Sequence, residues 1–274
     1  MKAAPFEYAR PNTLAEACAA LAQDGAAAIA GGQSLLPMLN LRVSIVDLVV
    51  DIGRLADLKT VRETSTALEI GALVTHAAIE DGKIPDPFNG LLRRVAGQIS
   101  YRAVRNHCTI GGSLALADPA ADWPACLMAL GASVKIAGRD GTRGQPVADF
   151  VQGAYTTSLV PGEIITGIEL PKPRQPLRWG FAKVARKSGA FANSIAIVTS
   201  QGRGGPASVV LGAAGPRPCR LGTAERQLAA GAGEDAIRAA IADDIAKETP
   251  NADAYERRMH GANVWHAVRE LQRR

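Results

Sequence analysis

Two glycine pairs, each followed within two residues by a serine, are the features of this sequence whose spacing could support binding chemistry. They lie in AGGQSLLPMLNLR (30–42) and TIGGSLALADPAADWP (109–124). Glycine has no Cβ, so successive backbone N–H groups can line a concavity around a ligand, and a helix start adds partial positive charge. Two such loops could grip a diphosphate without a lysine, aided by hydroxyls of Ser34, Thr109 and Ser113. Each pair could equally be only a tight turn.

The usual nucleotide-binding motifs do not accompany these glycines. No GxGxxG run opens a helix after a predicted strand, and no GxxxxGK[ST] loop occurs. The run GRGGP (202–206) is predicted to be a hairpin tip, because it contains proline and strand patterns flank it. From the residues alone, the chain is a soluble protein whose glycine loops either turn the backbone or bind a phosphate-bearing ligand.

The four histidines form no dyad with a nucleophile in the sequence. His76 follows Thr75 at a predicted helix start, so a solvated or capping role is favoured over catalysis. His107 adjoins the second glycine loop, where a structural role and a place beside a ligand both remain open. No residue is therefore predicted to be catalytic.

The composition is that of an ordinary globular protein. The 274 residues are 47% apolar and 21% charged, and the net charge of +5 is scattered along the chain. Nucleic-acid surfaces carry a concentrated basic stripe with interleaved aromatics, and aromatic residues make up only 4% here, so nucleic-acid binding is not expected. No apolar signal core and no run of about eighteen apolar residues occurs, which predicts a chain without membrane insertion.

Cysteine usage predicts reduced thiols rather than a metal centre. Cys18, Cys108, Cys126 and Cys219 show no CxxC and no clustered Cys/His spacing. A zinc or iron–sulfur site needs such clustering, so none is expected in this chain. Four buried, reduced thiols in a cytoplasmic protein are predicted instead.

Hydrophobic periodicity predicts two mixed regions separated by prolines. Thr13 and Glu16 have capping-box spacing at the start of a helix over 12–24, and Ser34 could cap a second helix. Each glycine pair is predicted to follow a strand. The cluster PKPRQP (171–176) is the predicted boundary, because proline removes ladder donors and breaks helices. Beyond it, strand patterns followed by a helical end predict a three-stranded sheet with helices packed against it.

Several stretches, in order along almost the whole chain, match the pattern of one known family. They are the first glycine loop (30–42), EIGALVTHAAIE (69–80), TIGGSLALADPAADWPACLMALGA (109–132), PGEIITGIELP (161–171), KVARKSGAFANSIAIV (183–198) and LGAAGPRPCRL (211–221). In these stretches the chain resembles the FAD-binding medium subunits of molybdenum hydroxylases. That family includes the carbon monoxide dehydrogenase medium subunit and the flavin domain of xanthine dehydrogenase.

The resemblance implies an α+β fold. It comprises a vanillyl-alcohol-oxidase-like (PCMH-type) FAD-binding domain of two α/β subdomains and a C-terminal α+β domain with a three-stranded antiparallel sheet and helices. With the proline boundary, the FAD-binding domain covers residues 1–171, with subdomains at about 1–56 and 57–171. Residues 172–274 form a C-terminal domain of the carbon monoxide dehydrogenase flavoprotein type. FAD would lie extended between the two subdomains.

The resemblance also implies which residues bind FAD. The backbone of residues 30–35 would hold the diphosphate from one side, and residues 109–113 would meet it from the other. On this hypothesis, a side chain at Gly31 or Gly32 would stand in the ligand's place. The implied cofactor-binding residues are Ala30, Gly31, Gly32, Gln33, Ser34, Leu35, Thr109, Gly111, Gly112, Ser113, Asp118, Asp122, Ile165, Lys183 and Phe191.

Five of these positions would act through their side chains. By the resemblance, Asp122 would hydrogen-bond a hydroxyl of the FAD chain, with Asp118 as the secondary candidate. Ile165 would line the flavin or adenine pocket, and Lys183 would approach the isoalloxazine. Phe191 matches a position near the flavin ring, although packing in the core is an equal alternative.

The implied activity is electron transfer within a larger enzyme. A large molybdenum-cofactor subunit would supply electrons to the [2Fe-2S] clusters of a small subunit. FAD in this chain would receive the electrons from these clusters and pass them to an external acceptor. A dimer of heterotrimers is the implied assembly. Ala190 stands where relatives usually have Asp, so the acceptor is left open. Two alternatives are a stand-alone FAD-dependent oxidoreductase of the same fold and a flavin-free scaffold subunit; the glycine loops argue against the scaffold.

Overall fold

The structure of the chain, a computed structural model, describes residues 2–202 and 204–274. Its N-terminal part is a small parallel sheet with two short helices. The elements are β1 (Glu7–Ala9), α1 (Leu14–Leu21), β2 (Ala26–Ile29), α2 (Leu35–Asn40) and β3 (Leu48–Asp51), followed by a 3₁₀ turn (Ala56–Lys59). The strands lie in the order β1-β3-β2, so the strand with the most buried residues, β3, is central.

Helix α1 begins where the sequence predicts. Thr13 accepts a hydrogen bond from the backbone of Glu16, and the Glu16 side chain accepts one from the backbone of Thr13, which is the predicted capping box. Cys18 and Leu21 share the buried face and pack against the sheet. The expectation for Ser34 is wrong in one respect: it precedes α2, but its side chain makes no capping hydrogen bond.

The middle of the chain forms a five-stranded antiparallel sheet in the order β4-β5-β10-β6-β7. Five helices lie between β5 and β6, and β10 returns to the centre of the sheet. A two-stranded ribbon, β8-β9, lies beside it. The elements are β4 (Val61–Glu63), β5 (Ala67–Gly71), α3 (His76–Glu80), α4 (Leu91–Ala96), α5 (Arg102–Arg105), α6 (Ile110–Leu116), α7 (Asp122–Ala129), β6 (Ser133–Gly138), β7 (Gly141–Pro146), α8 (Val147–Phe150), β8 (Val151–Gly153), β9 (Thr156–Thr157) and β10 (Ile164–Pro171).

The C-terminal part is an antiparallel sheet covered by helices. Its order is β11-β12-β13-β14, so it has four strands where three are predicted. The extra strand has only two residues, which is too short for a periodic signal in the sequence. The elements are β11 (Leu177–Ala185), β12 (Ala192–Gln201), β13 (Ala207–Gly212), β14 (Cys219–Arg220), α9 (Gly222–Ala229), α10 (Glu234–Glu248) and α11 (Ala254–Arg273).

The predicted hairpin tip at 202–206 connects β12 to β13, and Arg203 within it lies outside the described residues. Strand β12 is buried on both faces. Ile195 and Ile197 pack in the core that contains α7, whereas Ala196 and Val198 pack with α10 and α11. Burial on two faces explains why apolar residues follow one another in β12. A strand with one face in water would instead alternate apolar and polar residues. The domain boundary at residue 171 stays a prediction.

Candidate functional site

A cavity of about 500 Å³ lies between the N-terminal sheet, the central sheet and the loop before β12. Its volume is in the range of small-molecule sites. All the residues that the resemblance implies as cofactor-binding line this one cavity, although they come from widely separated parts of the chain. They are Ala30, Gly31, Gly32, Gln33, Ser34, Leu35, Thr109, Gly111, Gly112, Ser113, Asp118, Asp122, Ile165, Lys183 and Phe191.

The first glycine pair forms the turn between β2 and α2. A methyl group at Gly31 would collide with the backbone carbonyl of His107, so glycine is needed there because two chain segments approach closely. Gly32 has φ of +71°, in the left-handed region that favours glycine. The space that a side chain at Gly31 would need is therefore already filled by the His107 backbone. The hypothesis that such a side chain would stand in the ligand's place is different: here it would collide with the protein itself.

The first loop presents unpaired backbone donors at the cavity. Among the described residues, none accepts a hydrogen bond from the N–H groups of residues 32–35. The described residues of the cavity lining include no arginine, and their one lysine is already ion-paired. An anion in this cavity would be held by backbone amides, as in other amide-lined concavities.

The second glycine pair is built differently. It lies in the first turn of α6 rather than at the end of a strand, so that part of the prediction is wrong. The Thr109 hydroxyl oxygen caps the helix by accepting from the Gly112 N–H at 3.1 Å, and the Gly111 N–H donates to the Ala72 carbonyl at 2.9 Å. A methyl group at Gly111 would lie 2.8 Å from the Ala72 Cα. Because these amides are paired, the donors of this loop that have no acceptor among the described residues are the N–H of Thr109 and the hydroxyls of Thr109 and Ser113.

The two loops meet at the cavity. A methyl group at Gly112 would lie 3.8 Å from the Ala30 Cβ, and Gly31 contacts the backbone just before Thr109. Thr109 is also bridged to Thr75, the N-cap residue of α3. Both loops therefore face one shared cleft, as a common ligand would require.

Asp122 and Lys183 form a buried ion pair in the cavity wall. The Lys183 Nζ lies 2.8 Å from the Asp122 Oδ2, with side chains 10% and 4% exposed, respectively. Burial raises the pKa of Asp122, and the neighbouring ammonium partly offsets this. The other carboxylate oxygen, Oδ1, has no hydrogen-bond partner among the described residues. The resemblance implies separate contacts of the two residues with FAD; the structure pairs them and leaves Oδ1 as the unused acceptor.

Three further implied residues differ in their surroundings. Asp118 accepts a hydrogen bond from the Ala120 N–H at 2.8 Å, so one of its oxygens is already used in the turn before α7. Ile165 is buried in β10. Phe191 is 69% exposed at the edge of the cavity, which excludes the alternative of core packing. Ala190 lines the cavity beside it.

Sequence reasoning missed His76 as a cavity residue. The predicted solvated or capping role is wrong, because His76 is 2% exposed and its Thr75 neighbour supplies the cap. Burial lowers the pKa of His76 to about 4, and the nearby backbone of Thr109 only partly opposes this shift. Neither ring nitrogen has hydrogen-bonding geometry to a described residue. The ring is tilted against Trp123, with centroids 5.8 Å apart. The spacing of His76 and Ile79 on one helix face was the available signal of burial.

Within residues 2–202 and 204–274, no group of three or more His, Cys, Asp or Glu side chains is arranged to hold a metal ion. No helix in that part of the chain is long and apolar enough to cross a membrane. All four cysteines are free, but only Cys18 and Cys126 are buried, so the expectation of four buried thiols is wrong for two of them.

Comparison with known proteins agrees with this geometry. Residues 4–173 match the family described as the FAD binding domain in molybdopterin dehydrogenase. The caffeine dehydrogenase subunit beta of Pseudomonas sp. strain CBB1 is 37% identical over 203 residues, covering 72% of this chain and 68% of the relative. The carbon monoxide dehydrogenase medium chain of Afipia carboxidovorans is 35% identical over 202 residues, covering 73% of this chain and 70% of the relative.

Solved structures match over the full length. Carbon monoxide dehydrogenase from Hydrogenophaga pseudoflava superimposes with a TM-score of 0.92 at 30% identity, covering 100% of this chain and 99% of that one. Quinoline 2-oxidoreductase from Pseudomonas putida 86 superimposes with a TM-score of 0.84 at 31% identity, covering 99% of each chain. The implied fold class is thereby confirmed. The chain belongs to the FAD-binding medium subunits of molybdenum hydroxylase-type dehydrogenases.

Proposed function

We propose that the chain is the FAD-binding electron-transfer subunit of a heteromeric molybdenum hydroxylase. It would pass electrons from [2Fe-2S] clusters of a partner subunit through FAD to an external acceptor. The observation that carries the proposal is the single cavity where the unpaired amides of residues 32–35 and the unused Oδ1 of Asp122 converge. This combination suits a ligand with both a diphosphate and a chain of hydroxyl groups.

The residues of the cavity divide the work of holding FAD. The amides of residues 32–35 would hydrogen-bond the diphosphate, and the hydroxyls of Thr109 and Ser113 would donate from the other loop. Asp122 would accept from a hydroxyl of the FAD chain, while Lys183 keeps that carboxylate ionised and fixed in direction. Bound FAD would supply the redox chemistry, and the protein would orient it and set its environment.

Two apolar residues would border the ring system. Ile165 lies buried in the central strand of its sheet, so it offers a rigid wall. Phe191 lies on an exposed loop, where an aromatic side chain could cover one face of a flat ring. Burial of the ring between them would exclude water from its faces.

We further propose partners for the chain. The relatives are named as medium chains and lettered subunits of dehydrogenases, which supports a large molybdenum-cofactor subunit and a small [2Fe-2S] subunit as partners. A dimer of heterotrimers is the proposed assembly. The four free cysteines suit a reducing compartment, and we place the complex in the cytoplasm.

Titration of the purified full chain with FAD, followed by flavin fluorescence, tests the proposal. We expect one FAD per chain. Asp122→Asn should weaken binding by about tenfold or more, because a charge-assisted hydrogen bond is lost. Asp118→Asn, the matched control, should have a smaller effect, since one Asp118 oxygen is already bonded within the chain.

Other outcomes would favour the alternatives. A chain that remains colourless after incubation with FAD would indicate a flavin-free scaffold. Steady-state turnover of the FAD-loaded isolated chain with a simple reductant and a dye would indicate a stand-alone oxidoreductase.

A further inference from the structure

A second cavity, of about 470 Å³, lies between helices α10 and α11 and is separate from the cofactor site. Its lining includes Arg238 from α10 and Arg257 and Arg258 from α11, and it contains no carboxylate. The floor includes Trp265. We call these four residues and the space between them the arginine groove.

The charges of the arginine groove are only partly neutralised. The Arg238 guanidinium lies 4.2 Å from the centre of the Trp265 ring and 2.8 Å from Glu234. Arg257 donates to the Pro250 carbonyl at 3.0 Å, and its Nε is buried without a partner among the described residues. Arg258 forms no ion pair or hydrogen bond with any described residue. Two neighbouring guanidiniums, those of Arg257 and Arg258, therefore have no carboxylate paired with them in the part of the chain that the structure describes.

The groove is open because small residues line it. A methyl group at Gly261 would still lie 3.9 Å from the Cδ1 of Ile245. Trp265 is only 7% exposed, and its indole N–H has no partner in the described chain. Arginine and tryptophan are the residue types most enriched among the energetic centres of protein interfaces.

We propose that the arginine groove binds an acidic segment of a partner subunit in the assembled enzyme. This inference rests on the proposed function, because it needs the partner subunits. Charge complementarity favours such an occupant, since carboxylates pair well with arginine forks. One face of the Trp265 ring is already covered by Arg238, so stacking of a nucleotide base is disfavoured.

The test uses the full chain produced together with its molybdenum-cofactor and iron–sulfur subunits. Arg257→Glu/Arg258→Glu should weaken assembly by about tenfold or more, measured by native mass spectrometry across a dilution series. Arg258→Glu alone should also weaken assembly, and it cannot break a bond within the described chain. The control, Arg269→Glu/Arg273→Glu, changes two exposed arginines of the same helix that lie outside the groove. It should assemble like the wild type.

A photo-crosslinker placed at Ala262, which lines the groove, identifies the occupant. We expect a crosslinked partner peptide rich in Asp and Glu, and none from a crosslinker at the exposed His266. FAD binding by each variant is measured in parallel and should be unchanged.

Equal assembly of the groove variants and the wild type would overturn this inference while leaving the FAD site intact. Saturable binding of inorganic pyrophosphate or ATP in the groove, without any effect on assembly, would also overturn it. A wild-type chain that binds FAD but forms no complex with either subunit would overturn both this inference and the proposed partners.

Discussion

The two glycine loops of the cofactor cavity have nearly the same sequence pattern but different construction. In the first loop, the amides of residues 32–35 have no acceptor among the described residues, and the loop is fixed by the close approach of Gly31 to the His107 backbone. In the second, the amides of residues 110–113 are bonded within the chain, through the Thr109 cap and contacts with Ala72 and Val74. One loop is available to a ligand, whereas the other is a self-contained helix start.

A glycine pair in a sequence thus indicates that something approaches the backbone closely, but not whether it is a ligand or another part of the chain. At Gly31 and Gly111 the neighbour is the protein's own backbone. The amides that remain unpaired, and not the glycines as such, indicate where a ligand would bind.

We expect the largest effect on FAD binding from a side chain at Gly31, where two segments of the chain touch. Gly31→Ala should abolish FAD binding, because the new methyl group collides with the carbonyl of His107 and forces the loops apart. FAD titration and chemical denaturation measure this. Gly144→Ala is the control, since a methyl group there has open space. Retention of normal FAD affinity by Gly31→Ala would show that the loops need not touch.

The wall formed by Asp122 and Lys183 is predicted to depend on its pairing. Lys183→Met should lower the free energy of unfolding, measured by chemical denaturation, by about 4 kcal/mol at neutral pH. The reason is that it leaves the buried Asp122 carboxylate without its counter-charge. Since burial raises the pKa of Asp122, part of this loss should be recovered as the pH falls and the carboxylate protonates. The double variant Asp122→Asn/Lys183→Met should be more stable than Lys183→Met. A smaller loss in the single than in the double variant would contradict the pairing.

His76, which supports the second loop, should make stability depend on pH. Its pKa is about 4 in the folded chain and 6.5 ordinarily, so the unfolded chain binds the proton first as the pH falls. Stability should therefore be full above pH 6.5 and decline towards about pH 4, by at most roughly 3 kcal/mol.

Denaturation of the FAD-free chain across this pH range measures the effect. His76→Leu should flatten the profile, whereas His266→Leu, at an exposed position, should leave it unchanged. Identical slopes for His76→Leu and the wild type would show that His76 does not titrate in this way.

The smallest expected effects come from removing the hydroxyls of Thr109 and Ser34, the residues that precede the helices of the two loops. Thr109→Ala should cost about 1 kcal/mol, because it removes the hydrogen bond to the Gly112 N–H. Ser34→Ala should cost less than about 0.5 kcal/mol, because Ser34 makes no such bond. Equal losses in thermal denaturation would mean that the loops are held alike.

Much of the fold could be predicted where local signals were strong. The capping box at Thr13 and Glu16 and the strong apolar runs of the sheets are confirmed. The strand Cys219–Arg220 could not be predicted, since two residues carry no periodicity and its pairing with β13 is set by tertiary contact. The helical start at Thr109 was mistaken for a strand end, because glycines mask helix propensity.

The sequence predicted which residues line the site, but not the contacts that these residues make with each other. Every residue implied by resemblance lines the cavity, yet sequence order could not show that Lys183 pairs with Asp122 or that His76 is buried without partners. Such contacts join segments up to 61 residues apart, and only the folded arrangement determines them. The exposure of Phe191 likewise depends on its loop and not on its residue type.

A crystal structure of the full chain, soaked or grown with FAD, would show whether the two glycine loops and Asp122 bind one cofactor molecule. We expect a diphosphate against the amides of residues 32–35 and a hydroxyl of the same molecule beside the Oδ1 of Asp122. A diphosphate bound elsewhere, or FAD contacting only one of the two glycine loops, would contradict it.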